Sequence, residues 1–166
     1  MKRQSSAIRV ALTVLTVLVF VGPVAAGEQV PFRGRLEGSL VSRTPLTPPF
    51  VVDTFAITGN ATQLGQFELD ITATVNLTTR TATGTYVFVA ANGDTLTATF
   101  TWSSAPTPTP GVILITEVAT IDPDGCTGRF AGASGGFTCE RLFSPATGET
   151  IGSINGTIST PGANTQ

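Results

Sequence analysis

The sequence predicts an all-β domain: an eight-stranded antiparallel up-and-down β-barrel, preceded by an N-terminal signal helix. Three observations carry this. Apolar and polar residues alternate with period two along nearly the whole chain after residue 29, which is the pattern of half-buried strands. The alternating runs are separated mostly by short turns rich in Gly, Pro and Asn, the expected content of an up-and-down barrel. The strands also lack charged edge guards such as Lys, and a closed barrel has no edges to guard. A β-sandwich is the alternative architecture. A barrel of eight strands is just wide enough to fill with side chains or to hold one small ligand.

The first residues address the compartment. Lys2, Arg3 and Arg9 precede an uncharged apolar run from Val10 to Val21, Gly22-Pro23 breaks it, and Val24-Ala25-Ala26 supplies small residues before Gly27. This reads as a secretory signal peptide over residues 1–26, too short to span a bilayer. The mature chain, 27–166, then forms one domain with an ordered core at about residues 30–159. It is expected to be secreted, periplasmic or at the cell surface, with no membrane span of its own.

The mature chain reads as strands in order. From Val30 to Val41 the residues Val30, Phe32, Leu36 and Leu40 share one parity, with Arg33, Arg35 and Glu37 between them. Residues 42–50 hold Pro45, Pro48 and Pro49, which donate nothing to a ladder, and are expected to form an extended loop. Val51 to Thr58 resumes as a strand. Gly59, Asn60 and Gly65 mark a turn or bulge, and Phe67, Leu69, Ile71, Ala73 and Val75 then alternate strictly with polar residues.

Thr81 to Ala90 and Thr95 to Ser104 flank Ala91-Asn92-Gly93. A two-residue Asn92-Gly93 turn would mix the faces by setting Phe100 opposite Thr85, because a one-residue slip reverses every side chain. A three-residue loop with Gly93 in the left-handed position sets Phe88 opposite Leu96, Tyr86 opposite Ala98 and Gly84 opposite Phe100, with Thr85–Thr99 and Thr83–Thr101 on the other face. After a proline-rich loop at residues 105–111, Val112 to Ile121 reads as the most buried strand. Gly136 to Phe143 and Thr150 to Thr160 complete the set, and no helix follows the signal.

Residues 121–139 form the densest punctuation, with five glycines, Pro123 and both cysteines of the chain. They predict an irregular corner plugged by Phe130 and Phe137. In an oxidising compartment a Cys126–Cys139 disulfide is expected to close it, worth about 3 kcal/mol on the loop-entropy account.

Composition excludes more chemistry than it supplies. The chain has no His, and beyond residue 26 no Lys, so the commonest general base, the commonest metal ligand and the Schiff-base residue are missing. No metal or cofactor is expected. The mature chain sets six Arg against all eleven carboxylates, which disfavours nucleic acid and anionic membranes as partners. Glu68 and Asp70 lie on a polar parity and read as solvated, and Asp122 and Asp124 read as a turn. Glu117 shares parity with Ile113, Ile115, Ala119 and Ile121. If that face is interior, Glu117 is a buried carboxylate, the one catalytic candidate, paired with an Arg; if Val112, Leu114 and Val118 face in instead, it is outside. Phe32, Phe67, Tyr86, Phe88, Phe100 and Trp102 fall on apolar parities, as core filling or as the lining of a ligand pocket. Asn60, Asn76 and Asn155 head Asn-X-Thr sequons, which matter only in a eukaryotic host.

The corner Thr127 to Gly135 (TGRFAGASG), the hairpin Ala90 to Phe100 (AANGDTLTATF) and the segment Ala61 to Phe67 (ATQLGQF) resemble those of exported bacterial proteins related to the allene oxide cyclase barrel, with plant dirigent proteins as more distant cousins. The resemblance spans about residues 30–159 and departs from the pattern at Gln63, where relatives often carry His, and at the two cysteines. It implies an eight-stranded barrel with an apolar cavity, and carries over no catalytic residue.

Three functions fit. The first is a non-catalytic exported barrel that binds a small apolar molecule or acts at the cell surface. The second is a cyclase or isomerase of a lipid-derived or phenolic substrate, working without metal or covalent nucleophile. The third is a structural or adhesive surface protein using the threonine-rich exterior, where Thr81, Thr83, Thr85, Thr95, Thr97, Thr99 and Thr101 form Thr-X-Thr rows.

Overall fold

The computed structural model describes residues 28–159; the expected signal segment and cleavage site lie outside the described residues. Eight antiparallel strands, β1 (Val30–Pro45), β2 (Phe50–Ala61), β3 (Gly65–Asn76), β4 (Thr81–Ala90), β5 (Thr95–Pro106), β6 (Ile113–Ile121), β7 (Ser134–Phe143) and β8 (Glu149–Ser159), pair in sequence order. β8 returns to β1, from Val30 opposite Ile158 to Ser39 opposite Glu149, and closes the ring. The barrel, not the sandwich, is the fold.

Strand parity decides what lies inside. On β3, Phe67, Leu69, Ile71, Ala73 and Val75 are buried and the residues between them exposed. The β4–β5 register is the one the three-residue loop dictates: Phe88 opposite Leu96, Tyr86 opposite Ala98, Gly84 opposite Phe100. Gly93 is left-handed at φ 86° and the Gly93 N–H donates to the Ala90 carbonyl at 2.8 Å. Gly84 is required by packing, since a Cβ there would stand 2.6 Å from the Phe100 ring.

One expectation about the strands needs correction. Residues 42–45 are strand, not loop: β1 shifts register between Leu40 and Ser42 and pairs on to Pro45 opposite Val51. A bulge lets the chain absorb a residue and keep pairing, and Pro45 sits at the strand end, where its missing N–H costs nothing. β6 is the most buried strand, as its sequence predicts: only Val118 and Thr120 on it are exposed, whereas every second residue of β3 is.

The two ends of the barrel differ. One carries the β2–β3 turn, the β4–β5 hairpin and the glycine corner, which folds as two 3-10 turns, Pro123–Gly125 and Gly128–Phe130. Phe130, Leu64 and Ala133 are buried there and plug it. Arg129 belongs to that plug: its guanidinium donates to the Leu64 carbonyl at 3.0 Å and stacks 4.8 Å over Phe130, while its backbone N–H donates to Asp94 at 3.2 Å. The other end carries the loops at 46–49, 77–80, 107–112 and 144–148. Among the described residues no helix is long and apolar enough to cross a membrane.

Candidate functional site

β6 turns the parity of Ile115, Glu117, Ala119 and Ile121 inward, so Glu117 is fully buried. Glu117 lies opposite Cys139 on β7, and Arg141, two residues on, shares the inner face of β7 with Phe137 and Phe143. That diagonal brings guanidinium and carboxylate together with two hydrogen bonds, from Arg141 Nη2 to Glu117 Oε1 at 2.7 Å and from Arg141 Nε to Glu117 Oε2 at 3.0 Å. Neither side chain is exposed. Arg141 also lies 4.7 Å from the Phe55 ring and 5.7 Å from the Trp102 ring, and Nη1 reaches Thr150 Oγ1 at 3.4 Å. Burial opposes the charge on Arg141, but the ion pair with Glu117 outweighs it and holds the guanidinium protonated.

Tyr86 and Cys139 face this pair. Burial pushes both groups far above their ordinary range, and the adjacent Glu117 carboxylate adds to the effect. The Tyr86 hydroxyl and the Trp102 indole N–H are buried, and neither has a hydrogen-bond partner among the described residues. A second buried carboxylate, Asp53, shares the inner face of β2 with Phe55 and receives two 2.6 Å hydrogen bonds from Arg43 at the barrel mouth. That bond raises the pKa of Arg43.

The six aromatic candidates are all buried. Rings from strands three apart in the barrel meet across its interior: Phe32 with Phe88 at 6.1 Å, Phe55 with Trp102 at 6.4 Å, Phe55 with Phe143 at 5.5 Å, Tyr86 with Phe137 at 5.5 Å and Phe88 with Phe137 at 5.9 Å. Phe67 and Phe100 join through Phe88 and Tyr86. A groove runs over the outer face, past Arg35, Glu37, Glu68, Glu140, Leu142 and Ile151. Glu68 and Asp70 are exposed, and Asp122 caps the first 3-10 turn by accepting from the Asp124 N–H. Among the described residues no cluster of metal-ligating side chains occurs.

The Cys126–Cys139 disulfide does not form; both cysteines are free and buried. Cys126 Sγ accepts from the Thr97 N–H at 3.4 Å and donates to the Asp122 carbonyl at 3.2 Å. Cys139 lies opposite Glu117, which lies opposite Trp102. Thr97 and Trp102 are five residues apart on β5, about 17 Å at strand rise, whereas bridged Cα atoms lie within about 7 Å. Two thiols are therefore expected on titrating the unfolded, unreduced protein; none would restore the bridge.

The sequence reading missed Arg141 and Asp53. Parity with Phe137 and Phe143, and with Val51 and Phe55, was the signal available for each.

Linkage gives a pH prediction. Cys139 and Tyr86 ionise near 9.0 and 10.0 when free and higher when folded, so above pH 9 the unfolded chain loses protons that the folded chain keeps. Stability is fully present below pH 9 and falls above it, by up to about 1.4 kcal/mol per pH unit for each group. Urea unfolding from pH 8 to 11 should show the fall, and Tyr86→Phe should remove its share while leaving neutral-pH stability equal or higher, since that hydroxyl is unpaired. A Tyr86→Phe profile identical to wild type would refute the assignment.

No family model matches this chain, and no curated protein or solved structure does.

Proposed function

We propose that this chain is an exported, non-catalytic barrel of the allene oxide cyclase-like kind that acts at the cell surface through its exterior. The observation that carries the reading is the set of aromatic rings meeting across the interior, with a guanidinium between Phe55 and Trp102. Interiors packed at this density leave few voids larger than water. The internal carboxylates, Glu117 and Asp53, are each held by two hydrogen bonds from an arginine, which suits a structural lock better than a proton shuttle. Native mass spectrometry of the exported protein, before and after denaturation and after exposure to lipid and phenolic extracts, tests this. Equal masses are expected. A mass lost on denaturation would move the function into the lumen.

A second reading, a binder or cyclase of a small apolar molecule, rests on the unpartnered Tyr86 hydroxyl and Trp102 N–H beside the Glu117–Arg141 pair. Buried donors without partners are uncommon, and a ligand oxygen would satisfy them. A retained small molecule in the native spectrum, lost in Tyr86→Phe, is the outcome that would favour it.

A further inference from the structure

The end of the barrel opposite the glycine plug is built unlike the rest of the surface. Its four connections, residues 46–49, 77–80, 107–112 and 144–148, contain one charged residue, Arg80. The carboxylates Asp94, Asp122 and Asp124 all lie in connections at the other end. Three large apolar side chains project at this end: Leu46 is 46% exposed, Phe50 41% and Leu77 52%. They adjoin one another, because the Leu46 N–H donates to the Phe50 carbonyl and the Leu77 N–H to the Pro49 carbonyl, each at 3.0 Å.

These side chains are held outward by ordered turns. Asn76 Oδ1 accepts from the N–H groups of Thr78 and Thr79, and the Asn76 carbonyl accepts from Arg80 N–H, which fixes Leu77 at the tip. Most of the backbone donors at this end are also satisfied within it. Pro48, Pro49, Pro108, Pro110 and Pro145 have no N–H, while those of Phe50, Thr107, Thr109, Val112, Ser144 and Gly148 bond within or beside their own loops. Backbone groups paired internally are what a surface needs in order to enter a medium without water. Contiguous exposed apolar residues mark interaction sites.

We propose that this end, with Leu46, Phe50 and Leu77 as the inserting side chains, docks on the interface of a zwitterionic phospholipid bilayer. Arg80 stands exposed at the rim with an aliphatic stem able to reach a headgroup phosphate. Asp94, Asp122 and Asp124 point away, and Glu149, the exposed carboxylate that starts β8 at this end, accepts from the Thr147 hydroxyl. The net negative charge of the chain beyond residue 26 favours zwitterionic over anionic lipid. The inference adds a partner to the surface reading and fails separately from it: a retained ligand would overturn that reading and leave the docking end untouched.

Flotation of the exported protein with phosphatidylcholine vesicles tests it. The wild type is expected to float. A triple variant, Leu46→Ser, Phe50→Ser and Leu77→Ser, should lose at least about tenfold in partition coefficient while keeping its thermal midpoint. Val118→Ser with Ile151→Ser, apolar residues exposed on the barrel side, should float as wild type does. Should the triple variant not fold, Leu77→Ser alone reads the same effect at the most exposed of the three. Equal flotation of wild type and the rim variants, or no flotation of the wild type, overturns the proposal. Phe50→Trp quenched by brominated phosphatidylcholine would place the rim in the bilayer, and absence of quenching would refute insertion.

Discussion

Replacing Glu117 with leucine is expected to cost about 3–5 kcal/mol, because it strands the buried Arg141 charge with no counter-ion. Both side chains are fully buried and joined by two hydrogen bonds. That loss is a large fraction of the about 5–15 kcal/mol that ordinary domains possess. The paired replacement, Glu117→Leu with Arg141→Met, should recover most of it or exceed wild type, since burying an ion pair costs desolvation that an apolar pair avoids. The incoming methionine carries no charge and has only to fill the space between Phe55 and Trp102 that the Arg141 side chain occupies. Urea midpoints of the wild type, both single variants and the double form a cycle whose coupling term measures the pair. A double variant no more stable than either single would show that the two groups are not one unit. Glu117→Gln, which keeps shape and one acceptor, should fall between wild type and the leucine variant.

Phe88→Ala is expected to cost about 3–5 kcal/mol, the range for a large aromatic removed from a filled core. Phe88 is fully buried and its ring touches those of Phe32, Phe67, Tyr86 and Phe137. In a hollow barrel the same residue would line a lumen, the cavity term would vanish, and the loss would fall to about 1.5–3 kcal/mol of transfer alone. Equilibrium unfolding therefore measures the filling of the barrel as well as its stability. A loss at the lower figure, or a variant unchanged in stability, would argue for an open interior and for the ligand-binding reading.

Much of this architecture was legible beforehand. The β4–β5 register followed from one clash argument, Phe100 against Thr85, and the structure pairs Gly84 with Phe100. The burial of Phe130 and Phe137 at the corner followed from glycine density and two phenylalanines. The choice for Glu117 was narrowed to an inner or an outer face by parity alone. The disulfide failed for a definable reason: closeness in sequence and a shared corner say nothing about distance once one cysteine is tied to Thr97 and the other continues five residues' worth along the barrel wall. Residues 42–45 pair through a register shift after Leu40, because a bulge can rescue pairing that prolines otherwise discourage.

By itself the sequence determined the period of each strand, the chemistry of each turn and hence the all-β class, since these depend on residues within a few positions of one another. Only the tertiary structure decided that Glu117 faces Arg141, that Asp53 is capped by Arg43, that rings from strands three apart meet in the middle, and that Leu46, Phe50 and Leu77 gather at one end. Those outcomes depend on the stagger with which eight strands close. Stagger is a property of the whole ring, and no local pattern encodes it.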